Sequence, residues 1–210
     1  MRICFVVGWT LMASGLSGRA ATAIYTDLAA FLAAVTPMGG ESFDGLPEPG
    51  NEIGEEREFN VGGIRVVAST GSDLYTAGSA PDIWLSTVVA EQQVIDFDFS
   101  GETLYAVGGN FFTSDVSGDE TPGSVELMTN DLTTHTVTYS SMTSFVGFVS
   151  DQPITRLSLV AVQPGDGPVW PTANNLVFGG VSVVPEPESA MIQGLVGWAG
   201  VMLAWRRKRR

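Results

Sequence analysis

Cysteine occurs once in the 210 residues, at Cys4, and histidine once, at His135. A chain so poor in both has no disulfide of its own and no thiolate metal site. Zinc would be left with little beyond carboxylates. Basic residues are equally scarce away from the ends. Between positions 24 and 184 only Arg57, Arg65 and Arg156 stand against 21 carboxylates, a formal charge of −18, whereas the whole chain carries −13. So acidic a surface repels phosphate backbones and anionic headgroups, which excludes nucleic acid as a partner and leaves divalent cations attracted. No repeat of fixed period is present, which disfavours propellers and solenoids.

The seven other cations lie in two terminal segments. At the first, Arg2 precedes the apolar stretch Ile3–Leu16, and Ala21-Thr22-Ala23 supplies a small-x-small site. This pattern predicts a signal peptide over residues 1–23, passed by the secretion translocon and cut by signal peptidase at Ala21-Thr22-Ala23, so that the mature chain begins at Ile24. Cys4 departs with it. At the other end Val184-Pro185-Glu186-Pro187-Glu188-Ser189 leads into the apolar run Ala190–Trp205, whose strongly polar member is Gln193. The two prolines hold the backbone extended and readable by a processing enzyme. From Ser189 to Trp205 there are 17 residues. At about 1.5 Å each they just reach the lower limit for a bilayer span. Arg206, Arg207, Lys208, Arg209 and Arg210 then resist translocation and stay on the cytoplasmic side.

The sequence of Pro-Glu-Pro, short span and arginine cluster resembles the PEP-CTERM sorting signal of Gram-negative bacteria that carry an exosortase and export polysaccharide. The resemblance covers residues 184–210. It implies that Pro185, Glu186 and Pro187 are the recognition element, that the following helix sits transiently in the inner membrane, and that Arg206–Arg210 retain it there. A membrane-embedded exosortase would then remove the tail and send the protein to the cell surface or extracellular matrix. A tail anchor that is never cut is the alternative reading of the same hydropathy.

The 160 or so residues between the two signals, 24–183, suffice for one domain with its own core. Thr26 and Asp27 offer an N-cap ahead of Leu28, Phe31, Leu32 and Val35 at helical spacing, with Pro37 beyond. A short helix is expected over 27–35, its stripe a lid on the end of a sheet sandwich. From Glu41 the period becomes two. Phe59–Val61 and Ile64–Ala68 flank Gly62-Gly63 as a hairpin, and Val94–Phe99 alternates apolar Ile95, Phe97 and Phe99 with Asp96 and Asp98. Gly108-Gly109 suggests a bulge or close backbone approach. Asp44–Arg57 reads as a loop, the overlapping acidic run Glu52–Glu58 as a mobile acidic one, and 69–87 and 163–173 as turn and loop sequence. Nine or ten short strands with one helix predict an all-β fold, an antiparallel β-sandwich of jelly-roll type.

The segments Glu41–Leu46, Ala106–Phe111, Phe145–Phe148 and Asn174–Phe178 are similar to sandwich domains that precede PEP-CTERM tails, and to carbohydrate-binding jelly rolls. In several such jelly rolls a structural calcium joins the first and last strands. The resemblance implies Glu41 or Asp44 with Asn174 or Asn175 as its ligands, although asparagine stands where aspartate is usual.

No chemistry is marked by spacing. His135 lies in a strand of Thr and Val with no Gly-x-Ser-x-Gly elbow, and reads as a solvent-facing sheet residue. Asp96 and Asp98 share a wet face, and nothing selects a glycosidase pair. Asp115–Glu120 offers turn oxygens without EF-hand spacing. Trp84 and Trp170, both in loop-like sequence, are the residues a sugar would stack upon, or satellite core beneath their loops. The chain is thus expected to be an exported, non-enzymatic surface or matrix protein, structural or adhesive. The competing expectation is a glycan-binding module that uses Trp84, Trp170 and calcium, with extracellular polysaccharide as partner.

Overall fold

The computed structural model describes residues 21–87, 94–165 and 167–181. Among them are one helix, α1 (Leu28–Ala34), and strands β1 (Thr22–Tyr25), β2 (Val35–Glu41), β3 (Glu52–Val61), β4 (Ile64–Ser79), β5 (Asp82–Thr87) and β6 (Val94–Gly101). Then follow β7 (Ala106–Ser114), β8 (Gly123–Thr129), β9 (Thr134–Ser140), β10 (Phe145–Ser150), β11 (Arg156–Val162) and β12 (Trp170–Val181). All pairings are antiparallel. The strands form one continuous path, β1-β10-β7-β12-β5-β4-β6-β11-β8-β9, with β2 added to β12 and β3 to β4.

The path curls so that its two halves face each other over a shared core. Val107, Phe111, Val146, Phe148 and Phe178 come from β7, β10 and β12, and they join Ile64, Ile95, Phe97, Leu127 and Leu157 from the opposite half in one buried cluster. The halves are continuous through β4. Its first part, Ile64–Ser69, pairs with β6 and β3, and its last part, Leu74–Ser79, pairs with β5, which in turn meets β12 at Leu85 and Ala173.

Local chemistry explains the elements that the sequence marks well. Asp27 caps α1, its carboxylate accepting from the Ala30 amide at 2.8 Å. The β3–β4 hairpin turns at Gly62 and Gly63, with φ of +57° and +83°, a region open to glycine at no steric cost. In β6 the side chains of Ile95, Phe97 and Phe99 are buried while Asp96 and Asp98 face outward, as period two requires. The Gly108-Gly109 pair is a close approach. A Cβ on Gly108 would stand 2.7 Å from Phe145 Cζ, and one on Gly109 2.8 Å from Leu176 Cδ2.

Three expectations need correction. The helix does not close the end of the sheet stack. Phe31 packs with Val35, Ala106 and Phe145 on the face of β10 opposite the main core, while Leu28 and Leu32 remain largely exposed. The acidic run Glu52–Glu58 is strand, not loop: its backbone pairs with β4 from Tyr75 to Val67, so ladder hydrogen bonds carry it where side-chain burial does not. Residues 69–87 are likewise mostly strand, the second half of β4 and all of β5 around a cis Ala80–Pro81 bond.

Candidate functional site

The most concentrated polar arrangement sits where β12 bulges between Asn174 and Val177 against β7. Asn174 is nearly fully buried, and its Nδ2 donates to Asp82 Oδ1 at 2.8 Å. Its own Oδ1 accepts from the Asn175 amide at 2.8 Å, which fixes the bulge from within. Asn175 sits at φ +50°, a left-handed conformation that asparagine tolerates better than most residues, and its Nδ2 donates to Asn110 Oδ1 at 3.3 Å. Asp27, Asp82, Asn110, Thr143, Asn174 and Asn175 thereby line an open depression of about 430 Å³. Planar amides and carboxylates so arranged offer both donors and acceptors to a polyhydroxy ligand.

A second, larger groove of about 790 Å³ crosses the outward face of β6, β11 and β8. Arg156 makes a bidentate contact to Asp98, with Nε to Oδ1 at 2.7 Å and Nη2 to Oδ2 at 3.0 Å. The hydrogen bond and charge of Asp98 hold the guanidinium above its ordinary pKa. Ser158 donates to Asp96 beside it. The two carboxylates that alternate along β6 are therefore occupied by neighbours on β11, and Met128 and Leu132 form an apolar rim.

The tryptophans do not offer platforms. Trp84 and Trp170 are 6% and 8% exposed and lie in strands β5 and β12, not in loops. Trp84 stacks edge-on against Phe112, with ring centroids 4.9 Å apart, and rests on Gly78, where a Cβ would come within 2.9 Å of the indole. The loop after β7 closes over this cluster, the Gly78 amide donating to the Gly118 carbonyl at 3.0 Å. Stacking a sugar on either indole would require uncovering it, so both belong to the packing of the fold.

The residues implied as calcium ligands each hold another partner. Glu41 Oε1 accepts from the Phe43 amide at 2.8 Å, Asp44 Oδ1 from the Ile83 amide at 3.4 Å, and the carboxylate that meets Asn174 is Asp82. Asp115 Oδ1 is similarly engaged by the amides of Ser117 and Asp119, at 2.8 and 3.1 Å, which shapes its own turn. Among the described residues no group of three or more His, Cys, Asp or Glu is placed to hold a metal ion. His135 is half-buried in β9, paired in register with Leu127.

Two features were not marked in the sequence. Ser86, Ser114 and Thr172 form a buried triangle of hydroxyls across β5, β7 and β12, with oxygen separations of 3.2, 2.8 and 3.1 Å, and Ser86 also donates to the Pro171 carbonyl. Asp131, in the β8–β9 turn, accepts from the hydroxyls of Thr129 and Thr22 and from the Thr133 amide. Partial burial pushes its carboxyl upward, but these donors outweigh that effect and hold it at about 2. Neither could be read from spacing, since the partners are up to 109 residues apart.

Ala21 and Ala23 fall at the start of the described chain, with Ala23 inside β1 opposite Val149. The sorting residues Pro185, Glu186 and Pro187 and the cluster Arg206, Arg207, Lys208, Arg209 and Arg210 lie outside the described residues, as does the expected span. Among the described residues no helix is long and apolar enough to cross a membrane. Fold and surface together define an all-β antiparallel protein with shallow polar depressions. Comparison with models of known protein families gives no match, and comparison with curated proteins gives none either.

Proposed function

We propose that the chain is an exported surface or matrix protein, carried to the envelope by its N-terminal leader and sorted by an exosortase through Pro185-Glu186-Pro187. The observation that carries this reading is the order Pro185-Glu186-Pro187, apolar run and cation cluster Arg206–Arg210 that follows the last described strand. β12 is clamped by β7 on one side and by β5 and β2 on the other, and it ends at Val181, three residues before Val184. Among the described residues, every member of the main buried cluster lies between Phe43 and Phe178.

The domain then acts as a structural or adhesive component of the exopolysaccharide layer, a jelly-roll-like sandwich without catalysis of its own. Replacing Pro185 and Pro187 with alanine tests the sorting. Full-length protein should accumulate in the membrane fraction, and undiminished release of a shortened chain would refute exosortase recognition at this element. The uncut tail anchor predicts that the unaltered protein keeps Arg210 in the membrane, which the mass of its C-terminus decides.

A second reading, glycan binding, is favoured by the bulge that presents the amide of Asn175 beside Asn110 and Asp82. In that case Asn110→Ala and Asn175→Ala abolish retention on immobilised exopolysaccharide while leaving the fold intact. Equal retention of both variants and the parent removes this reading.

A further inference from the structure

Two frames near the leader's end place small residues at the first and third positions with alanine last: Gly18-Arg19-Ala20 and Ala21-Thr22-Ala23. Hydropathy and residue size do not separate them, but the fold does. β1 pairs along its whole length with β10, Thr22 opposite Ser150, Ala23 opposite Val149, Ile24 opposite Phe148 and Tyr25 opposite Gly147. Ahead of it, the Ala21 amide donates to Asp151 Oδ1 at 3.1 Å and the Ala21 carbonyl accepts from the Asp151 amide at 3.2 Å. Thr22 Oγ1 donates to Asp131 Oδ2 at 2.7 Å. A cut after Ala23 would discard the contacts of Ala21, Thr22 and Ala23, halve the strand, take from Asp151 the Ala21 donor and strip Asp131 of one of its three donors.

We propose that signal peptidase cuts after Ala20, in the frame Gly18-Arg19-Ala20, and that the new α-ammonium of Ala21 seats on the carboxylate of Asp151. Water adds across the Ala20–Ala21 peptide bond. Ala20 leaves with the leader as a carboxylate, and Ala21 retains the amine, which takes up a proton at neutral pH. The nitrogen that donates to Asp151 as an amide then donates as a cation, and the bond becomes charge-assisted. In a body with three arginines, two of them paired to Glu58 and Asp98, this ammonium is a substantial part of the positive charge. Cleavage thus completes the edge of the sheet instead of trimming it.

This inference rests on the export reading, and its test separates the two. The full chain is expressed in a bacterium with a general secretion pathway, and the N-terminus of the exported protein is read by mass spectrometry. A chain beginning at Ala21 is expected. One beginning at Ile24 overturns the inference and leaves export standing, whereas a chain that keeps Met1 inside the cell overturns both. Two variants sharpen the result. Ala20→Tyr should block or displace the cut, and Ala23→Tyr, at an exposed position of β1, should leave it unchanged. The reverse pattern sinks the proposal. For the seat, lysine occurs only at Lys208, so on protein released from its tail an amine-reactive ester labels the terminus selectively. Asp151→Asn should speed that labelling severalfold near pH 8, and equal rates would remove the ion pair.

Discussion

Phe31 lies directly on the Cα of Gly147, so closely that a Cβ at Gly147 would stand 2.3 Å from Phe31 Cδ2. The contact fastens α1 to the outer face of β10, and a side chain at position 147 would lift the ring away from Tyr25 and Phe145. Gly147→Ala is expected to destabilise the protein by about 2 kcal/mol through overpacking. Combining it with Phe31→Leu should cost less than the sum of the two single changes, because the smaller side chain makes room. Denaturant titration of the four proteins checks this, and strict additivity would contradict the contact.

Acid should weaken the protein through Asp131. Its folded carboxyl titrates at about 2, below the ordinary 3.8. A group depressed in this way adds stability that is fully present above the unfolded value, and the stability is lost as pH falls from about 4 toward 2. Thr22→Val and Thr129→Val each remove one of the hydroxyl donors. Unfolding midpoints measured between pH 2 and 6 should show each variant weaker than the parent at pH 6, with the gap closing at the acid end. A gap constant with pH would place the loss in packing instead.

The buried amide of Asn174 should be costly to replace. Asn174→Leu keeps the bulk but strips Asp82 of its donor and the Asn175 amide of its acceptor. A loss of about 2 kcal/mol is expected. Adding Asp82→Ala should return part of it, since the stranded carboxylate is then gone. Thermal melts of the single and double variants provide the measurement.

Thr172→Val tests the hydroxyl triangle at nearly constant shape. Ser86 and Ser114 would keep each other as partners at 3.2 Å, so the cost should be moderate, about 1 kcal/mol. Replacing Ser86, whose bond to the Pro171 carbonyl at 3.1 Å is shorter than that of Thr172 to the Trp170 carbonyl at 3.4 Å, should cost more than replacing Thr172. Equal melting temperatures for Ser86→Ala and Thr172→Val would show that the shorter carbonyl bond of Ser86 adds no more than the longer one of Thr172.

Where side chains face a core on one side and water on the other, the sequence spelled out the structure. Ile95, Phe97 and Phe99 against Asp96 and Asp98 mark β6, and Asp27 with Phe31 marks α1. The end of β3, Phe59–Val61, was marked by the hairpin, but its first part escaped because Glu55, Glu56, Arg57 and Glu58 are exposed on both faces of a strand held by its backbone, and an unburied stretch leaves no periodic trace. Trp170 was misleading for a related reason. Pro168 and Pro171 signal a loop, yet Pro171 lies in β12 opposite Thr113. The amide depression was half visible: Asn174 and Asn175 stood out, but their partners Asp82 and Asn110 are 92 and 65 residues away and belong to other strands.

The placement of β12 has a mechanical corollary. A load applied at Val181 pulls along a strand bonded on both flanks, so the ladders to β7 and β2 share it as shear and many bonds must yield together. β1, near the other end of the described chain, lies at the sheet's margin with β10 as its strand partner, beside the contacts of Ala21 and Thr22 to Asp151 and Asp131, so fewer backbone pairs resist the same load. A protein held by its C-terminal side would withstand drag that detaches one held by its N-terminal side.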